Sequence, residues 1–162
     1  IELISKLIQE FPNIQLHLYG FGKEEAKYKQ LITEYNLENN VFLRGFKRNL
    51  NAEIQDAYMS LITSSMEGFN LGLLETIAEG IPSVGYNSKY GPSELILNNK
   101  NGYLINKNDK DQLYDRVRNL LLDKNLRDTF SQECINHSKS FSSKIVMKLW
   151  EDRFSTINTS YK

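Results

Sequence analysis

The sequence predicts a doubly wound α/β domain, a Rossmann-like parallel sheet with extra helices at its C-terminal end. Short apolar runs alternate with amphipathic helical patterns as far as Ile105, and this alternation indicates parallel pairing through right-handed crossovers. Turn residues such as Gly20-Phe21-Gly22 separate the runs. At 162 residues with 40% hydrophobic content, the chain is predicted to fold as one unit over 1–162.

The individual elements follow from apolar spacing. The first helix begins at once, with apolar residues on one stripe from Ile1 to Phe11. Strands are expected at five apolar runs: 14–19, 41–43, 58–62, 83–86 and 103–105. Helices are expected between them, near 28–35, 50–57, 71–79 and 92–96. Gly80 is placed to end the third of these helices, and Pro82 prevents it from resuming.

After Ile105 the pattern is helical only. One helix face carries Leu113, Val117 and Leu120, and the next carries Phe130 and Cys134. Cys134, the lone cysteine, is expected to be a small buried thiol rather than a nucleophile. The last helix, about 143–157, has a broad apolar stripe centred on Trp150, for which core packing is the favoured role over ligand contact.

Composition excludes several classes of function. Twenty basic and twenty acidic residues cancel, so no overall field draws the chain to nucleic acid or an anionic membrane. No apolar run approaches the roughly 20 residues of a membrane span, and no signal peptide is recognisable, so a reducing cytoplasmic location is expected. His17 and His137 lack partners at metal-ligand spacing, and no metal site is expected.

The most specific motif is the segment from Glu67 to Glu75, in which seven residues separate two carboxylates. Glu67 lies in a glycine-containing loop, and Glu75 lies about one turn into the helix that follows. The N-terminus of that helix, with free N–H groups and a partial positive charge, suits a diphosphate. The spacing therefore fits a sugar, a diphosphate and a ribose in a row; the competing interpretation is a loop acid and an ordinary surface glutamate.

Gly20-Phe21-Gly22 after a strand is not a convincing dinucleotide site, because the third glycine and a later acidic residue are missing. A two-glycine turn still lets the backbone approach a ligand closely, and a simple tight turn is equally compatible. The sequence contains no Gly-x-Ser-x-Gly, Walker or Cys/His nucleophile pattern.

These motifs together resemble the C-terminal, donor-binding domain of GT-B glycosyltransferases of the retaining family 4 type. The resemblance extends through nearly the whole chain, and the Glu67–Glu75 element is its specific part. The segment from Tyr86 to Ile96 looks like the poly(glycerol-phosphate) α-glucosyltransferase branch, whose members glycosylate teichoic acids, with relatives that act on surface proteins. The family resemblance implies one half of a GT-B fold and a nucleotide-sugar substrate. It also implies that no metal or other cofactor is required.

The resemblance also implies roles for individual residues. Glu75 would bind the ribose hydroxyls, and Glu67 would lie against the donor sugar as the catalytic residue. Backbone groups of the loop and the helix start would hold the sugar and the diphosphate: Gly68, Phe69, Asn70 and Leu71. Gly20 and Gly22 would let the backbone close over the donor, and a second segment would border the base: Arg44, Gly45 and Phe46. Asn70 stands where glycine is usual.

Some expected parts lie outside this chain. The family places an Arg and a Lys just before the segment that Ile1 begins, and an N-terminal domain that binds the acceptor. We therefore expect this chain to be the donor half of a transferase and to be inert alone. Two alternatives stay open: a sugar-nucleotide epimerase of the same architecture, disfavoured because no His or acid pair is arranged for proton abstraction, and a non-catalytic nucleotide-binding module.

Overall fold

A computed structural model describes residues 1–64, 68–88 and 90–159, with side chains to residue 156. The strands are β1 (Leu16–Tyr19), β2 (Val41–Gly45), β3 (Ser60–Ile62), β4 (Ser83–Tyr86) and β5 (Gly102–Ile105). The helices are α1 (Glu2–Leu7), α2 (Glu25–Glu34), α3 (Asn51–Ile54), α4 (Leu71–Ala78), α5 (Pro92–Leu95), α6 (Lys110–Leu122), α7 (Lys124–Ser138) and α8 (Ser143–Thr159). A short 3-10 turn, Lys139–Phe141, joins α7 to α8.

Every strand pair is parallel, which confirms the predicted architecture. The strands do not form one continuous sheet, however. Within the described residues, β1 pairs with β2, and β3, β4 and β5 form a separate sheet in that order. Pairing between distant segments depends on the tertiary structure, and local periodicity carries no signal for such a break.

Two apolar clusters hold the elements together. The larger includes Leu7, Val84 and Ile105 and joins α1 and α6 to the strands. The smaller packs Leu73 and Ile77 of α4 with buried residues of α5 and α7: Leu95 and Cys134. These contacts set the position of α4, because its buried face is fixed on α7 while its N-terminus lies at the carboxyl end of β3.

Cys134 is fully buried, as the sequence predicted. Its thiol lies 3.2 Å from the carbonyl oxygen of Asn101, to which it can donate. Burial raises the pKa of the Cys134 thiol to about 12, because a thiolate there would lose its hydration. The thiol is therefore protonated at neutral pH and structural.

The prediction that Trp150 packs in the core is wrong. Trp150 is 56% exposed and stacks on Phe154, which is 58% exposed, with ring centroids 5.6 Å apart. Met147 and Leu149 are exposed on the same helix, α8. The apolar stripe predicted on this helix is present, but periodicity alone does not show which surface covers it.

In the part of the chain that the structure describes, no helix is both long enough and apolar enough to cross a membrane.

Gly102 allows the close approach of β5 to β4. A Cβ at this position would overlap the Ser83 carbonyl oxygen and lie 3.1 Å from Cγ2 of Ile96. Because the nearer obstacle is backbone, we expect Gly102→Ala to lower the free energy of unfolding by about 3 kcal/mol. Urea unfolding measures this loss. Gly22→Ala is the matched control, since its Cβ would meet nothing within 4 Å; equal midpoints for the two variants would contradict the prediction.

Candidate functional site

The loops that follow β1 and β2 are joined at the carboxyl ends of these strands. The Gly20 N–H donates to the Gly45 carbonyl over 2.9 Å, and both glycines have positive φ, +117° and +66°. The register also shifts here, so that Tyr19 pairs with Gly45 rather than Arg44. Side chains at these two glycines would be strained, and the structure thus brings together the predicted Gly20–Gly22 and Gly45–Phe46 segments.

Two aromatic rings stand on this joined loop pair. Phe21 is 82% exposed and Phe46 is 66% exposed, and their rings meet edge to face with centroids 6.3 Å apart. The sequence predicts Phe46 as a site residue and Phe21 only as part of a turn. The sequence feature that indicates a role for Phe21 is a bulky aromatic residue between two glycines, because a tight turn alone requires no aromatic side chain.

The Arg44 side chain does not extend to this loop pair. Its guanidinium lies 4.9 Å from the centroid of the Phe42 ring and 3.4 Å from Nε2 of His17, near the start of β1. The pKa of His17 is lowered by partial desolvation and, second, by the Arg44 charge. Arg44 therefore contributes its backbone to the loop end, while its charged guanidinium lies beside Phe42 and His17 on the strands.

The N-terminus of α4 is the most specific feature of the site. Asn70 is its N-cap, and the Asn70 Oδ1 accepts a 2.8 Å hydrogen bond from the Leu73 N–H. An asparagine cap stabilises a helix by about 1 kcal/mol. The Leu74 N–H donates to the Asn70 carbonyl, and the Leu71 and Gly72 N–H groups have no hydrogen-bond partner among the described residues. The unusual Asn70 is thus explained as a helix cap.

Side chains around this helix end are largely exposed. Leu71 is 65% exposed, and the Glu75 carboxylate has no ion-pair or hydrogen-bond partner among the described residues. Phe69 is half exposed and contacts the Phe141 ring, with centroids 5.8 Å apart, which fixes the loop on the 3-10 turn. Gly68 is exposed with open space beside its Cα. The Phe141 contact had no signal in the sequence.

Glu67, the predicted catalytic residue, lies outside the described residues. Within the described ranges, no three His, Cys, Asp or Glu side chains are grouped to hold a metal ion. The described part of the site thus offers two loop ends with exposed aromatic rings, a capped helix N-terminus, and one free carboxylate on that helix. Such a site can bind an extended anionic ligand with hydroxyl groups.

Comparison with known proteins identifies the family. The sequence profile described as "Glycosyl transferases group 1" matches residues 1–137. The chain belongs to this family. Its parallel α/β architecture is that of GT-B glycosyltransferases, as the sequence resemblance implied.

Relatives of this group 1 domain include two glycosyltransferases. The poly(glycerol-phosphate) alpha-glucosyltransferase of Bacillus subtilis (strain 168) is 30% identical over 93% of this chain and 22% of its own length. The poly(ribitol-phosphate) alpha-N-acetylglucosaminyltransferase of Staphylococcus aureus (strain COL) is 29% identical over 96% of this chain and 32% of its own length. The chain thus spans less than a third of the length of either relative. The predicted similarity to the poly(glycerol-phosphate) α-glucosyltransferase branch is confirmed.

A solved glycosyltransferase structure is also similar to this chain. The crystal structure of a Staphylococcus aureus TarM mutant in complex with fondaparinux, alpha-GlcNAc-glycerol and UDP matches this group 1 domain with a TM-score of 0.87 at 28% identity. The match covers 93% of this chain and 31% of that chain. The structural likeness thus extends over nearly the whole of this chain.

Proposed function

We propose that this chain is the donor-binding domain of a retaining glycosyltransferase. The whole enzyme would move a hexosyl group from UDP-glucose or UDP-GlcNAc to a cell-surface acceptor such as teichoic acid, polysaccharide or glycoprotein, and would work in the cytoplasm. The single observation that supports this most directly is the start of α4. Among the described residues, the Leu71 and Gly72 N–H groups at this capped N-terminus have no partner, and neither does the Glu75 carboxylate one turn later.

In this proposal the ligand follows the order of these groups. The helix N-terminus stabilises the diphosphate, which becomes the anionic leaving group, and Glu75 accepts hydrogen bonds from the ribose hydroxyls. The exposed Phe21 and Phe46 rings lie at the joined loops, where the base would be bordered. Glu67 would lie against the sugar.

Binding by this chain alone should be weak. Among the described residues near the loop ends, Lys47 pairs with Glu53 at 3.2 Å, and Arg44 is held against His17. These two side chains are thus held by neighbours, whereas Lys23 and Arg48 on the same loops are exposed. The Arg and Lys implied by the family resemblance would supply the missing positive charge from outside this chain.

Calorimetry with UDP, GDP and ADP tests the proposal. We expect UDP to bind with a Kd in the high micromolar to millimolar range, about −4 to −5.5 kcal/mol, and to bind equally in EDTA. GDP and ADP should bind more weakly. Loss of UDP binding in EDTA, or equal affinity for all three nucleotides, would contradict the proposal. Turnover of UDP-glucose against UDP-GlcNAc by the longer protein would then identify the donor.

The exposed stripe on α8 yields a prediction about the rest of the enzyme. A stripe that includes Trp150 and Phe154 should pack on the N-terminal domain, because large exposed apolar patches are rare unless they form an interface. Backbone amides of residues 150–157 should therefore exchange faster in this chain alone than in the longer protein. Equal, strong protection in both, with this chain monomeric, would show that α8 needs no such partner.

A further inference from the structure

Three hydroxyl groups link the β3–β4–β5 sheet to the middle of α4. Ser60 of β3 and Ser83 of β4 are register partners, and their Oγ atoms lie 2.7 Å apart. The Ser60 Oγ lies 3.2 Å from Oγ1 of Thr76, which in turn donates to the Leu73 carbonyl over 2.8 Å. Thr76 and Ser83 are buried, and Ser60 is half buried. We call Ser83, Ser60 and Thr76 the hydroxyl network.

The hydrogen bonds of the hydroxyl network all run in one direction. A hydroxyl group donates one proton, and Thr76 donates its proton to the Leu73 carbonyl. The Thr76 oxygen must therefore accept from Ser60. Ser60 then has no proton left for Ser83, so Ser83 donates the 2.7 Å bond between them. Bonds in such a series strengthen one another, because each donor polarises the next.

Apolar packing alone does not fix α4 along its axis. Leu73 and Ile77 bury its inner face in the smaller cluster, but apolar contacts have no preferred direction. A small slide of the helix would keep this area buried while it broke the bond between Thr76 and Ser60. The hydroxyls would then lie buried without partners, which is costly. The hydroxyl network therefore selects one position of α4 on the sheet.

The hydroxyl network ends at the part of α4 that carries the candidate site. Leu73 joins the two, because its carbonyl accepts from Thr76 while its N–H donates to the Asn70 cap over 2.8 Å. Thr76 also directly follows Glu75, whose carboxylate is exposed. A displacement of Thr76 would therefore move both the Glu75 carboxylate and the N–H groups at the start of the helix.

We propose that Ser83, Ser60 and Thr76 are positioning residues, which hold α4 at the place on the sheet where Glu75 and the helix N-terminus reach the nucleotide sugar together. The three hydroxyls act through α4 and do not contact the nucleotide sugar themselves. The effect on UDP binding rests on the proposed function, whereas the position of α4 does not. Binding groups must be held within about 0.5 Å of their productive geometry, so a small slide of the helix is enough to lower affinity.

Two substitutions of Thr76 separate position from stability. Thr76→Val keeps the shape of the side chain and removes the hydroxyl, whereas Thr76→Ser keeps the hydroxyl and removes a methyl group. We expect the Kd of this chain for UDP to rise about 5- to 20-fold in Thr76→Val and less than about twofold in Thr76→Ser. Both variants lose one buried group, so a loss of stability alone would not produce this difference. Urea unfolding checks that each variant is folded under the calorimetry conditions.

Thr129→Val is the matched control. It is the same substitution in α7, where the exposed Thr129 hydroxyl donates to the Asn125 carbonyl of its own helix over 2.9 Å. The Kd for UDP should therefore stay unchanged in this variant.

Ser60→Ala removes the middle of the hydroxyl network from the sheet side, and it provides the test if Thr76→Val does not fold. It should reproduce the effect of Thr76→Val. The double variant should lose no more affinity than either single variant, because the bonds act as one unit. Additive losses would overturn the proposal.

Crystal structures of the ligand-free variants provide a measurement that uses no nucleotide. In Thr76→Val and Ser60→Ala, α4 should be displaced by about 0.5 Å or more relative to β3 and β4. In Thr76→Ser and Thr129→Val, it should superpose on its position in the unmodified chain. An undisplaced α4 in Thr76→Val and Ser60→Ala would overturn the proposal.

The two measurements distinguish this proposal from the proposed function. If the unmodified chain binds UDP, equal affinities of Thr76→Val and Thr76→Ser would also overturn the positioning role. If the unmodified chain binds no UDP, the proposed function fails, and the displacement of α4 alone decides whether the hydroxyl network positions the helix.

Discussion

Glu75→Ala should raise the Kd for UDP by roughly 10- to 150-fold, a loss of about 1.5–3 kcal/mol. The reason is that a carboxylate that accepts hydrogen bonds from ribose hydroxyls contributes a charged hydrogen bond, which is stronger than a neutral one. The Glu75 carboxylate is exposed and has no ion-pair or hydrogen-bond partner within the described residues. Its removal should therefore cost affinity with little cost in stability, and calorimetry and urea unfolding measure the two effects separately.

Glu79→Ala is the matched control for this variant. Glu79 is an exposed glutamate one turn farther along, at the C-cap of α4, where its Oε1 accepts a 2.7 Å hydrogen bond from Asn51. It lies at the helix end remote from Asn70, so its loss should leave the Kd for UDP unchanged. An unchanged Kd in Glu75→Ala would refute the ribose assignment, and equal losses in the two variants would indicate a general effect of charge.

Glu67→Gln in the longer protein should lower kcat by roughly 100-fold or more, because a group placed against the reacting sugar acts mainly in the transition state. The Kd for UDP should change by less than about threefold, since UDP lacks the hexosyl group that Glu67 would contact. Steady-state kinetics and UDP calorimetry on the same preparation provide both numbers. The basis for this prediction is the family resemblance, because Glu67 lies outside the described residues.

The interpretation of this variant depends on which parameter moves. Glu79→Gln again serves as the control, since it replaces a glutamate away from the loop, and it should leave kcat unchanged. If Glu67→Gln weakens UDP binding as much as it lowers kcat, Glu67 mainly maintains the conformation of the loop, and the catalytic role is excluded.

Local sequence features predicted most elements but few of their contacts. Gly80, with a φ of +76°, ends α4 as expected, and β4 has its predicted bounds. The Asn70 backbone is expected near the ligand, and the tertiary structure adds that the Asn70 side chain caps the helix. The segment that begins at Arg44 is expected to border the base, and the structure shows that the Arg44 side chain itself lies against His17. Residues that are distant in sequence determine such side-chain positions, and periodicity does not include them.

The sequence by itself determined the order of the strands and helices, their parallel pairing, the turn glycines and the spacing of Glu67 and Glu75, because these depend on local propensity and on crossover geometry. Only the tertiary structure decided that the strands form two sheets and that Trp150 is exposed. Both features depend on which surfaces meet across the fold. An apolar stripe or a strand edge indicates that a partner is required, whereas its identity follows only from the packing of the whole molecule.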